Sequence, residues 1–253
     1  MKKTVTTILF LALLFPLAAS ASPKAAYVWT ELTDGFYYAK YTFQIGERQN
    51  VTIRAFKIDP KKYNFQIIRP DEKTSSARNL ASASNALLVI NGGFFTSDDK
   101  SIGLLANSGK LLNKKHNTSW WSIFSIKNSM PSIETRNKFN LTGNTEVAIQ
   151  VGPRLVVNGK TMKLKESTAI RSALGITYNN MIVIAITSGY GISMRELSER
   201  MGNSVFKGGL WCKEAMALDG GSSSQIYVKV GKFEYSQPGL ASIPNGFGVF
   251  KKK

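Results

Sequence analysis

Apolar residues in this chain come in short runs that often alternate with polar ones, and few stretches show the three-and-four spacing of a helix. At period 2, successive side chains point to opposite faces of a strand. Segments 36–43, 50–58, 63–68, 86–90, 120–126, 146–151 and 181–187, rich in β-branched and aromatic residues, are therefore predicted strands. Between Leu155-Val156-Val157 and Lys160, the Asn158-Gly159 step predicts a tight hairpin, because both residues tolerate the positive φ of a two-residue turn. Helical signals are fewer. Ser193 and Glu196 have capping-box spacing, Met194, Leu197 and Met201 share a face, and Gly202 offers a stop, which predicts a helix over 193–202. A weaker helix is expected over 77–84, and 202–211 has no readable pattern. Many strands with about two helices predict the α+β class, as a strand-rich single domain with a mixed sheet core and a few flanking helices.

Two apolar runs end in matched chemistry. Met216-Ala217-Leu218 runs into Asp219, Gly220, Gly221 and then Ser222, Ser223 and Ser224; 86–90 runs into Asn91-Gly92-Gly93-Phe94-Phe95. A strand that ends in this way presents a polar group at a site edge. Glycines then let a ligand approach the backbone, and serines and amides add donors suited to an anion. An Asp-Gly-Gly step also makes an ordinary turn. Two such ends together predict one shared site. Arg154, set by the stiff Gly152-Pro153 step, and Arg171, at the head of another apolar segment, supply guanidinium groups of the kind that grip phosphate or carboxylate.

Composition narrows the partners. Lys2 and Lys3, the apolar stretch 8–19 and Ala19-Ser20-Ala21 read as an export signal over 1–21, with one domain over 22–253. The stretch is short for a membrane span, so a periplasmic or secreted product with no transmembrane segment in the mature chain is expected. The formal charge of +17 becomes +15 without Lys2 and Lys3 (17 − 2), which favours anionic partners. Outside the cytoplasm these would be phosphorylated glycans, lipid head groups or cell-wall polymers; nucleic acid is not expected. One cysteine, Cys212, forbids an intramolecular disulfide, and with one histidine, His116, a Cys/His zinc site is excluded; no metal ligand or cofactor is assigned. Any Ser-His-Asp triad would need His116, which falls in a polar surface loop, and no Gly-x-Ser-x-Gly elbow is present. Trp120-Trp121 suits either a sugar face or core packing.

Four motifs, in order, carry a family resemblance: Asn91-Gly92-Gly93-Phe94-Phe95, Gly152-Pro153-Arg154-Leu155-Val156, Arg171-Ser172-Ala173-Leu174-Gly175-Ile176 and Leu218-Asp219-Gly220-Gly221-Ser222-Ser223. Together they resemble the phosphodiester glycosidase domain family, over roughly residues 50–250. One departure is visible, since Ser222 stands where the family commonly has a third glycine. The resemblance implies hydrolysis between a sugar's anomeric carbon and a phosphodiester oxygen, on an anionic sugar phosphodiester or phosphorylated glycan. A phosphate leaving group is a weak base that needs charge stabilisation more than a strong acid, so the paired carboxylates usual in glycosidases are dispensable. On this expectation Arg154 and Arg171 stabilise the phosphate, Asp219 is nucleophile or base, and Asn91 orients the substrate. Gly92, Gly93, Phe94, Gly220, Gly221, Ser222 and Ser223 line the pocket, with the glycine amides as an anion cradle. The other reading is a non-catalytic exported module that binds anionic glycan or cell-wall polymer.

Overall fold

Alternating apolar residues build three antiparallel sheets whose inner faces meet. The computed structural model describes residues 28–45 and 49–252, so the expected leader over 1–21 lies outside the described residues. The chain runs through β1 (Thr30–Thr33), β2 (Phe36–Ile45), β3 (Gln49–Ile58) and β4 (Tyr63–Ile68), then helix α1 (Ala77–Ser84) and β5 (Leu88–Asn91). Next come β6 (Leu105–Asn107), β7 (Lys110–Asn113), β8 (Ser122–Lys127), β9 (Met130–Thr135), β10 (Thr145–Val151), β11 (Arg154–Val157) and β12 (Lys160–Thr161). The last part holds β13 (Ser172–Thr177), β14 (Ile182–Gly189), helix α2 (Met194–Gly202), β15 (Cys212–Ala217), β16 (Ile226–Val230), β17 (Phe233–Gln237) and β18 (Gly246–Lys251).

The largest sheet has the order β1-β2-β3-β14-β13-β15-β11-β12; the other two are β7-β6-β10-β8-β9 and β17-β16-β5-β18-β4. The strand-rich α+β class holds, but pairing is antiparallel in every ladder among the described residues, where a mixed sheet was expected. Hairpins supply neighbours such as β2-β3, β8-β9 and β16-β17, while pairs distant in sequence, such as β3-β14 and β4-β18, complete the sheets, also antiparallel. Phe36 and Phe56 from the large sheet, Leu88 and Phe247 from one small sheet, and Phe124 and Val147 from the other share one buried core. On the reverse face of the large sheet, Val51, Ile53, Ala185 and Ala217 pack against Leu197 and Met201 of α2. A strand buried on both faces carries a continuous apolar run rather than alternation, as in 173–176 of β13 and 182–186 of β14.

Local signals mostly play out as their physics requires. Ser193 caps α2 with a complete capping box, Glu196 N–H donating to Ser193 Oγ at 3.1 Å and Ser193 N–H to Glu196 Oε2 at 2.8 Å. The expected role of Gly202 as a stop is corrected: it is the last helical residue, and the cap is Asn203 in extended conformation. Gly202 serves close packing, since a Cβ there would lie 2.8 Å from Thr161 Cγ2 and 2.9 Å from Val156 Cγ2. Asn158 (φ 49°) and Gly159 (φ 76°) form the expected hairpin turn between β11 and β12. The unreadable stretch after α2 is a short 3-10 turn, Val205–Lys207, followed by Trp211 at φ 54°.

Candidate active site

The strand ends singled out by sequence meet at one edge of the core. Asp219 follows β15, and its N–H donates to Gly92 O (3.1 Å), just beyond the end of β5. On the other side, Leu218 N–H donates to Ser172 O (2.9 Å) and Gly221 N–H to Ile170 O (2.8 Å), so Asp219 and Gly220 lie alongside Arg171. Ala217 N–H donates to Pro153 O (2.9 Å), which brings in the start of β11 after a cis Gly152–Pro153 bond. Asn91 sits beneath this junction, fully buried. Its Nδ2 donates to Asp219 O at 2.7 Å, while its Oδ1 accepts from Ser172 Oγ at 2.7 Å and from Gln225 N–H at 3.2 Å. A side chain so enclosed, with both its amide atoms engaged by protein partners, fixes strand ends.

Two opposite charges at this junction lack ionic partners. Asp219 is half-buried, and burial pushes its carboxyl pKa up, partly offset by hydrogen bonds from Ser223 and from Gly220 N–H at 2.9 Å. Arg171 is buried; its Nε donates to Ile192 O at 3.2 Å and its Nη2 to Ser167 O and Oγ. Burial also lowers its pKa. Its remaining nitrogen, Nη1, has no acceptor among the described residues and faces Gly220, where a Cβ would stand 3.4 Å away. Neither residue belongs to an ion pair among the described residues.

Arg154 is placed differently from the expectation. Its backbone borders the junction opposite Met216, but its guanidinium pairs with Glu214, two residues back along β15 from Met216 and further from Asp219. Glu214 also accepts from Asn158 N–H at 2.9 Å. Arg154 Nη2 is thus committed to Glu214, while its Nε is buried with no partner among the described residues.

The glycine amides likewise do not form the expected cradle. Gly92 N–H donates to Asn245 O (3.0 Å) and Gly93 N–H to Asn245 Oδ1 (2.8 Å), while Gly220 N–H and Gly221 N–H serve Asp219 Oδ1 and Ile170 O. Glycine is still required at position 92, where a Cβ would lie 1.9 Å from Asn245 Oδ1. Gly221 holds φ 62° with open space beside it, and Ser222 is exposed at the rim. Among the described residues no three His, Cys, Asp or Glu side chains gather into a metal-ligating cluster.

Residues 84–250 match the model of the phosphodiester glycosidase family. The chain belongs to this family. No curated protein matches it. Among solved structures, it is similar to the catalytic domain of zebrafish N-acetylglucosamine-1-phosphodiester alpha-N-acetylglucosaminidase, auto-inhibited by its pro-peptide, with TM-score 0.69, 12% identity, and 90% of this chain and 87% of that one covered. A hypothetical protein from Synechocystis gives TM-score 0.61 at 14% identity, over 92% of this chain but only 65% of that one. A protein described as exported, from Burkholderia pseudomallei, gives TM-score 0.53 at 12% identity, over 80% of this chain and 74% of that one. At these identities the likeness shows the fold.

Within this family member, an aromatic wall adjoins the junction. Phe94, directly after Gly93, lies 4.9 Å from Trp121 and 6.4 Å from Trp120 between ring centroids. Trp121 is buried and packs in the core, while Trp120 is 56% exposed. His116 is on an exposed loop with its ring 5.0 Å from that of Trp121. Asn245 was missed by sequence reasoning, although an Asn-Gly step at Asn245-Gly246 marks it. Its Nδ2 also donates to Ser101 Oγ at 2.9 Å, which ties the Gly92-Gly93 turn to a cavity of about 630 Å³ lined by Ser101, Asn113 and Pro244. Burial pushes the Cys212 thiol far up, which leaves it an inert core residue.

Proposed function

We propose that this protein is an exported hydrolase that cleaves the bond between a sugar's anomeric carbon and a phosphodiester oxygen, releasing free sugar and a phosphate monoester. The observation that carries the reading is that Asp219 and Arg171, both desolvated and neither in an ion pair among the described residues, are carried by adjacent converging strand ends. A desolvated carboxylate and a desolvated guanidinium each cost stability, and folds keep such groups where chemistry uses them. In the proposed step water attacks the anomeric carbon and Asp219 takes its proton. The carbon–oxygen bond breaks, and the phosphate leaves with the electron pair. A carboxylate whose pKa is raised is a stronger base at neutral pH. Arg171 Nη1, with no acceptor of its own, meets the charge that grows on the leaving phosphate. Trp120 offers an exposed ring to the sugar, and Ser222 a hydroxyl at the rim. Family membership and the fold shared with a phosphodiester-cleaving glycosidase support the substrate class. The test is incubation of the mature chain with synthetic sugar phosphodiesters, watching for free sugar. Product that disappears in Asp219→Asn supports the reading, and binding that survives that change with no product from any diester replaces it with the non-catalytic module.

A further inference from the structure

At the far end of the strands that carry the junction lies an aromatic groove of about 450 Å³. β13 runs from Ser172 at the junction to Thr177 at the groove, and antiparallel β15 runs back from beside Trp211 towards Asp219. At about 3.4 Å per residue the two ends stand roughly 17 Å apart. Trp29, Tyr178 and Trp211 line the groove together with Lys57, Asn179 and Leu210. Tyr178 and Trp211 are 51% and 53% exposed, with ring centroids 5.2 Å apart and planes at 39°. Both rings are anchored. The Tyr178 hydroxyl rests on Gly159, where a Cβ would stand 2.2 Å from it. Trp211 is held at φ 54°, a conformation rare for a bulky residue, with its N–H donating to Asn203 O at 3.0 Å. A strained backbone that keeps an indole half in water points to use of that indole.

The charge in the groove is a lone cation. Lys57 Nζ stands 4.5 Å from the Trp29 ring centroid and 4.9 Å from that of Tyr37, in no ion pair among the described residues. No carboxylate lines the groove. Burial lowers the lysine pKa and no carboxylate offsets it, so an incoming anion would restore what desolvation removes.

We propose that this groove is a second saccharide site, remote from Asp219, that binds an acidic sugar unit of a polysaccharide. The open Tyr178 and Trp211 faces take the apolar face of the sugar ring, Asn179 meets its hydroxyls, and Lys57 meets its acidic group. Flat rings with polar edges and a single cation complement a sugar that has an apolar face, a hydroxylated edge and one charge. Such a site would hold polymer to the enzyme whether or not its linkage is being cleaved, and so it does not depend on the proposed reaction.

The experiment is calorimetric titration of the full chain with hexagalacturonate, with maltohexaose as the neutral control, at physiological ionic strength. Trp211→Ala and Tyr178→Ala are each expected to weaken hexagalacturonate binding at least tenfold, and Lys57→Met to weaken it while leaving maltohexaose unaffected. Alanine has the same Cβ as tryptophan at φ 54°, so Trp211→Ala removes the ring without new backbone strain, and an unchanged melting temperature verifies folding. Asp219→Asn should leave this binding unchanged, and Trp211→Ala should leave turnover of a small sugar phosphodiester unchanged. Absence of hexagalacturonate binding overturns the proposal. So does equal binding in all variants, or binding lost in Asp219→Asn. Two further outcomes also overturn it: Trp211-dependent capture by phosphatidylglycerol vesicles in place of saccharide, and Trp211-dependent self-association.

Discussion

Asp219 is a residue that the fold holds against its own stability. A carboxyl whose pKa is raised on folding stabilises the folded state in its protonated form, below its unfolded pKa, and that contribution is lost as pH rises through the folded value. Above that point the ionised form opposes folding. Asp219→Asn is therefore expected to melt at the wild-type temperature or higher by calorimetry, while turnover falls by about 100-fold or more, the scale of a lost general base. For the wild type, kcat/KM should rise with pH through an apparent pKa above the ordinary carboxylate range. Arg154 carries the opposite expectation. Arg154→Met strands the part-buried Glu214, so it should cost on the order of 2 kcal/mol in denaturant unfolding, while turnover falls far less than in Arg171→Met. Sequence could not separate the two arginines, because each stands at the start of an apolar segment and only the register of β11 on β15 assigns Glu214 to one of them.

At the scale of elements, legibility followed the range of the forces involved. The capping box of α2, the Asn158-Gly159 turn and the long alternating strands β2, β3 and β4 rest on neighbours a few residues apart, and all could be read from sequence. The short β6, β7 and β12 have too few residues to show a period, and their existence depends on partners far along the chain. Gly202 was misread for the same reason: its proper neighbours, Val156 and Thr161, are contributed by a distant hairpin. Alanine is the better helix former by about 1 kcal/mol, yet Gly202→Ala is expected to lower stability by 1 kcal/mol or more, of order, because the hairpin has to retreat. A chemical-denaturation midpoint decides between propensity and packing; a higher midpoint would mean that the hairpin yields easily. The glycine steps at 92–93 and 220–221 were legible as strand ends, but their amides were not legible as already engaged, since Asn245 and Ile170 approach them only in three dimensions.

For the molecule as a whole, three sheets that share one core leave the junction no separate support. Asn91 makes this concrete, since one buried amide bonds to segments that belong to both the large sheet and the β16-β5-β18 sheet. Heat-inactivation and calorimetric unfolding midpoints are therefore expected to coincide. Turnover lost well below the calorimetric midpoint would show that the junction opens alone. A residue that clamps two sheets together at the junction would, on the proposed function, make turnover a reporter of their docking: a partly folded chain with these two sheets apart is expected to retain secondary structure but no activity. During biogenesis, then, the proposed activity would arise in a single step, when the two sheets that Asn91 joins come together.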